Sequence, residues 1–181
     1  SHKAAGLDTV AGLLDSEWHE ARLCALLILV EKMKRAGATE AKEIFDMYLS
    51  NTAHINNWDL VDLSAPQIVG AYLVDKPRGV LYSLADSPLL WDNRIAVVST
   101  YAFIKNNDLD DTFALSLRLL GHKHELMHKA VGWMLREAGK RDTARLRAFV
   151  DGHWHEMPRT MLRYAIEKYP ENERREVLSR R

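Results

Sequence analysis

The chain has 181 residues, 47% hydrophobic and 28% charged, with 25 basic and 25 acidic side chains and a formal net charge of zero. That length fits one domain, or one run of repeats, with a substantial core, and the composition is that of a soluble globular protein. No run of about 18 apolar residues offers a membrane span and no secretory leader is visible. A cytoplasmic location is expected, nucleoid-associated if the source is bacterial. The lone Cys24 excludes an internal disulfide. Its place in the apolar run Leu23-Cys24-Ala25-Leu26-Leu27-Ile28-Leu29 predicts a buried, inert thiol.

The zero charge hides an asymmetry. Residues 121–181 hold 14 of the basic residues, 9 of the acidic ones and five histidines. Such a basic end permits a polyanionic partner, and a dispersed solvated surface would look the same.

Almost every segment reads as helix. Asp15-Ser16-Glu17 signals a helix start, and Trp18, Arg22, Leu26, Leu29 and Val30 follow. Arg35-Ala36-Gly37 closes that helix. Thr39 can cap the next, with Ile44, Phe45, Tyr48 and Leu49 as its apolar stripe. After a polar break over 51–57, Trp58 opens a short helix, and Ser64-Ala65-Pro66 starts another. Asp75-Lys76-Pro77 restarts the chain, and Val80, Leu81 and Leu84 supply a face. Asp86-Ser87-Pro88 breaks it, and one strong helix is predicted over 89–105. Further helices are expected over 111–120, over 125–138, from an Asp142 cap to Val150, where Asp151-Gly152 ends it, and over 158–169. No sustained period-two alternation or hairpin signal argues for strands.

These helices fall into antiparallel pairs of about 35 to 40 residues, the range of HEAT-type repeats. Stacked pairs predict an all-α, right-handed solenoid with a concave binding surface. Distinctive residues recur at that period: Trp58, Arg94 and Trp133 lie 36 and 39 residues apart. Trp58 and Asp62 stand one turn apart on one helix face. An indole face beside a carboxylate suits a cation, while a core tryptophan near an acidic cap is the ordinary alternative. Trp91 lies three residues before Arg94. Lys129 lies four before Trp133, and Arg136 three after it. Together they would make a polar groove with two aromatic walls.

His124-Glu125-Leu126-Met127-His128 offers a rival. It matches H-E-x-x-H, in which two histidines one turn apart bind zinc and the glutamate acts as a base. No sheet is predicted to cradle such a helix. His122, His153 and His155 are candidate third ligands, and no spacing singles one out. The expected site uses no metal and no cofactor.

The segments Ala25-Leu26-Leu27-Ile28-Leu29-Val30-Glu31-Lys32, Asn57-Trp58-Asp59-Leu60-Val61-Asp62 and Trp91-Asp92-Asn93-Arg94-Ile95-Ala96 carry a family likeness. So do Lys129-Ala130-Val131-Gly132-Trp133-Met134-Leu135-Arg136-Glu137 and Pro158-Arg159-Thr160-Met161-Leu162-Arg163-Tyr164-Ala165-Ile166. In that order and spacing, the chain resembles the AlkD-like DNA alkylation repair glycosylases, a HEAT-like repeat family. The resemblance implies excision of cationic N-alkylated purines, such as 3-methyladenine and 7-methylguanine, from double-stranded DNA. By motif it assigns Trp58, Asp62, Arg94 and Trp133 to catalysis, with Arg94 engaging the DNA backbone. Lys129, Arg136, Trp91, Arg159 and Arg163 are expected to bind DNA. Family members typically begin with a further helical repeat, so residues 1–181 are expected to form one HEAT-like domain lacking it. A monomer is expected, with a dimer through the exposed repeat end as the alternative. A non-catalytic HEAT-like DNA-binding or scaffold protein is the competing function.

Overall fold

Apolar residues spaced three and four apart fold the chain into helices throughout, and a computed structural model describes residues 6–180. In chain order these are α1 (Leu7–Leu14), α2 (His19–Met33), α3 (Ala38–Ser50), α4 (Trp58–Ala65), α5 (Ala71–Leu73), α6 (Gly79–Ala85) and α7 (Leu90–Ser99). Then come α8 (Tyr101–Lys105), α9 (Asp110–Arg118), α10 (Glu125–Gly139), α11 (Thr143–His153), α12 (Arg159–Ala165) and α13 (Glu171–Ser179). Among the described residues there is no strand, and no helix is long and apolar enough to cross a membrane.

The expected all-helical architecture is what forms. A row of helices runs through the molecule: α2 packs on α4, α4 on α7, α7 on α10, and α10 on α12. The intervening helices pack against it, α1 on α2, α6 and α9 on α7, and α9 and α11 on α10. Within the row α2 and α4 run in the same direction. Their first turns meet through His19 and Asp59, while Val30 and Met33 at the end of α2 share a groove with Leu63 and Gln67 near the end of α4. Side-by-side helices pointing one way carry equivalent turns at equivalent heights, so residues one repeat apart in sequence can meet.

Two glycines set how closely the row packs. A Cβ on Gly70 would lie 2.3 Å from the Ser99 carbonyl oxygen, and one on Gly132 would lie 2.5 Å from the Tyr164 Cβ and 2.6 Å from the Met161 carbonyl oxygen. Only glycine allows these backbone approaches.

Several local expectations are corrected. Trp18, with no helical turn before it, is the N-cap of α2, and its N–H donates to the Ser16 hydroxyl. Gly37, not Thr39, stands at the N-cap of α3. Pro66 does not start a new helix: α4 continues into a π turn over Pro66–Gly70 and then into α5. Proline lacks the N–H that would continue the ladder to the Asp62 carbonyl, and a wider turn absorbs the loss. The single helix expected over 89–105 is two. The Ser99 and Thr100 hydroxyls bond back to the Ile95 and Val97 carbonyls, each at 2.6 Å, competing with the ladder where α7 gives way to α8. Asp142 does cap α11, accepting from the Arg145 N–H at 2.9 Å, but Asp151 and Gly152 lie inside that helix. Cys24 is exposed rather than buried, because α2 turns Cys24 and Leu27 outward while Ala25, Leu26, Ile28 and Leu29 face the core.

Candidate active site

Asn57 caps α4, its side-chain oxygen accepting the Trp58 N–H at 2.8 Å. That cap places Trp58 at the helix's first position and Asp62 one turn on. Trp58 is 52% exposed, so the core alternative for it is set aside. Tyr48 and Ser64 secure the other side of α4 through a buried hydroxyl pair at 2.9 Å. Burial pushes the Tyr48 phenol well above its ordinary value, which keeps it neutral there.

Arg94 comes from the next helix of the row. Asn93 beside it donates to the carbonyls of Leu84, Ala85 and Ser87, tying α7 to the end of α6. The Arg94 side chain is almost wholly buried and forks onto Asp62: Nε donates to Oδ1 at 2.9 Å and Nη2 to Oδ2 at 2.8 Å. Its Nη1 donates to the Leu126 carbonyl at 2.6 Å, in the first turn of α10. One guanidinium thus joins α4, α7 and α10 through charge-assisted bonds, and both Asp62 oxygens are fixed by it.

Trp133 sits two turns further along α10, partly buried against the core, with Tyr101 at 6.0 Å between ring centroids. Gly132 lets α12 close against α10 and brings Tyr164 alongside. The result is a cleft of about 350 Å³ lined by Trp58, Asp62, Arg94, Leu126, Lys129, Trp133, Arg136 and Tyr164. All four expected catalytic residues, Trp58, Asp62, Arg94 and Trp133, line this one cleft, and so do Lys129 and Arg136.

The cleft's cations are matched by acids. Lys129 pairs with Glu125 at 3.3 Å, and Arg136 with Glu137 at 3.3 Å and also with Glu167. Hydrogen bonds from Lys168, and after it Arg136, hold the Glu167 carboxyl below its ordinary value. Arg94 is committed to Asp62, and Lys129 and Arg136 each have an acidic partner beside the lining. A fixed carboxylate flanked by aromatic faces can accept a group bearing positive charge.

The remaining expected DNA contacts lie elsewhere. Trp91 is partly buried against the core and does not line the cleft. Arg159 is exposed and donates to the Leu178 carbonyl, and Arg163 is exposed on α12. The sequence reading missed Leu126 and Tyr164 as lining residues. Tyr164 falls 31 residues after Trp133, a near-repeat interval that could have marked it.

The H-E-x-x-H match has a local explanation. His124 precedes α10 as its N-cap, its Nδ1 accepting the Leu126 N–H at 3.1 Å, while His122 Nδ1 accepts the His124 N–H at 3.0 Å. His128 Nε2 lies 2.6 Å from the His122 carbonyl. Among the described residues no three His, Cys, Asp or Glu side chains are grouped so as to hold a metal ion.

The described residues form an all-α protein with an acid-and-indole cleft along its row of helices. The sequence matches the DNA alkylation repair enzyme family over residues 1–169, and the chain belongs to that family. Membership carries a role in DNA repair, with DNA as the substrate. No curated protein matches the sequence. Among solved structures, one from Enterococcus faecalis described as a predicted DNA alkylation repair enzyme shares the fold, with a TM-score of 0.70 and 12% identity, over 94% of this chain and 80% of that one.

Proposed function

We propose that the protein is a DNA glycosylase that hydrolyses the N-glycosidic bond of cationic N-alkylated purines, of the 3-methyladenine and 7-methylguanine type, in duplex DNA. The single observation carrying this reading is the Asp62 carboxylate, held in two directions by Arg94 and flanked in one cleft by Trp58 and Trp133. A purine alkylated at a ring nitrogen already carries positive charge, so it leaves without a protein acid to protonate it. As the bond stretches, positive charge builds on the deoxyribose, as in other glycosyl transfers. Asp62 stabilises that charge and orients the attacking water, and the indole faces add their negative quadrupoles. Arg94 serves as the positioning partner of Asp62, since its guanidinium is buried and committed; backbone contact falls to Lys129 and Arg136 at the rim, with Arg159 and Arg163 beyond it.

The test is substrate charge. The purified chain is incubated with duplexes carrying 7-methylguanine or uracil, and released bases are quantified. The proposal predicts release of 7-methylguanine and none of uracil. Salt-sensitive DNA binding with no release of 7-methylguanine would instead favour a non-catalytic DNA-binding protein.

A further inference from the structure

Trp18 stands at the start of α2 as Trp58 stands at the start of the neighbouring α4, and it is the more exposed of the two, at 68%. The two helix starts are tied together. His19 Nε2 lies 2.8 Å from Asp59 Oδ2, so the residues that follow the two tryptophans pair directly. Arg22 donates to the Ser16 and Glu17 carbonyls, each at 2.9 Å, and to the Asn56 side chain at 3.2 Å. Asn57, the next residue, caps Trp58. The Trp18 N–H donates to Ser16, and its carbonyl accepts from Ala21 and Arg22. The loop bearing Trp18 is therefore pinned at several points and coupled to the loop bearing Trp58.

Among the described residues neither indole stacks on another ring. The next helix of the row begins with another exposed apolar side chain, Leu89, 51% exposed. The backbone beneath Trp18 is held while the apolar face of its ring is uncovered. A stacking partner there gains apolar contact without having to order the loop.

We propose that Trp18 is a second aromatic platform for DNA, stacking on an unpaired nucleobase opposite the nucleotide that occupies the Trp58–Asp62 cleft. This rests on the glycosylase reading, because that reading sets DNA against Trp58. Stacking fits the chemistry of the edge: every base offers a π face, and the polar side chains nearby, His19 and Arg22, are engaged within the protein.

Wild type, Trp18→Phe and Trp18→Ala are compared for equilibrium binding to two duplexes. One is fully paired; the other carries a tetrahydrofuran abasic site, which leaves the opposing base unpaired and cannot be cleaved. Thermal melting checks that each variant is folded. Trp18→Ala should weaken binding to the abasic duplex about 5- to 100-fold, and to the paired duplex much less. Trp18→Phe should recover most of the loss. Equal affinity of Trp18→Ala and wild type for the abasic duplex overturns the inference while leaving the glycosylase reading intact, and points to a protein partner for this edge. Equal losses on both duplexes also overturn it. Wild type that binds neither duplex defeats the glycosylase reading, and the platform with it.

Discussion

Replacing Arg94 by methionine tests whether the guanidinium exists to hold Asp62. Methionine keeps most of the buried stem but removes three donors, two to Asp62 and one to the Leu126 carbonyl. The Arg94 side chain is 5% exposed and that of Asp62 18%, so the substitution strands a largely buried carboxylate. Breaking such a pair costs about 3–5 kcal/mol, and the partial exposure of Asp62 puts the expectation at the low end, about 3 kcal/mol. For a chain of this size that is a fall in Tm of roughly 6–12 °C. Asp62→Leu alone should cost a similar amount by stranding the arginine. The double variant Arg94→Met, Asp62→Leu replaces the pair with apolar groups and should recover most of the loss. Base release should be lost in all three. The assay is urea unfolding of the four proteins, combined as a double-mutant cycle. Additivity within about 0.5 kcal/mol would refute the reasoning, because it would mean that the two side chains are not each other's principal partners.

Other outcomes follow from the same geometry. Gly132→Ala should destabilise by about 1–3 kcal/mol and slow base release, because its Cβ meets the Met161 carbonyl and Tyr164, and α12 must move out of the cleft wall; melting and single-turnover assays check both. Trp58→Ala, at an exposed position, should leave Tm within about 2 °C, since surface changes stay near 0.5 kcal/mol, yet slow release roughly tenfold or more. Trp133→Ala, packed against the core, should lower both, and equal Tm for the two variants would contradict the burial difference. Desolvation, with the neighbouring His124 and His128 charges, holds the His122 imidazole below its ordinary 6.5. The unfolded chain therefore binds more protons just below that value, so stability is full above about pH 6.5 and falls as the pH drops through it. His122→Asn, which keeps an acceptor for the His124 N–H, should flatten this slope in melts between pH 7.5 and 5.5.

The site was legible in the sequence to the extent that a repeat makes distance in sequence a guide to distance in space. Trp58, Arg94 and Trp133 recur at about one helix pair, and a row of packed helices brings residues at that interval to one cleft. What a side chain does there was less legible. Spacing could not show that Arg94 turns inward onto Asp62 rather than outward to a phosphate, since that depends on the height at which α7 sits between α4 and α10. Cys24 was misplaced for a related reason. A continuous apolar run carries no phase, and only the packed helix shows that positions 24 and 27 face out. In the H-E-x-x-H pattern the first histidine is a cap rather than part of the helix, a distinction of one residue at a boundary that sequence spacing does not resolve. Pro66 looked like a start signal, and inside a continuous helix it is met by a π turn.

The most direct test of Asp62 as the catalytic carboxylate is Asp62→Asn in a single-turnover assay of 7-methylguanine release from duplex DNA, run well below the variant's melting temperature. Removing the charge while keeping the shape should slow release by about 10²–10³-fold, the scale of losing one preorganised electrostatic group. Release by the variant at the wild-type rate would contradict the assignment of Asp62, and of the cleft built around it, as the catalytic centre.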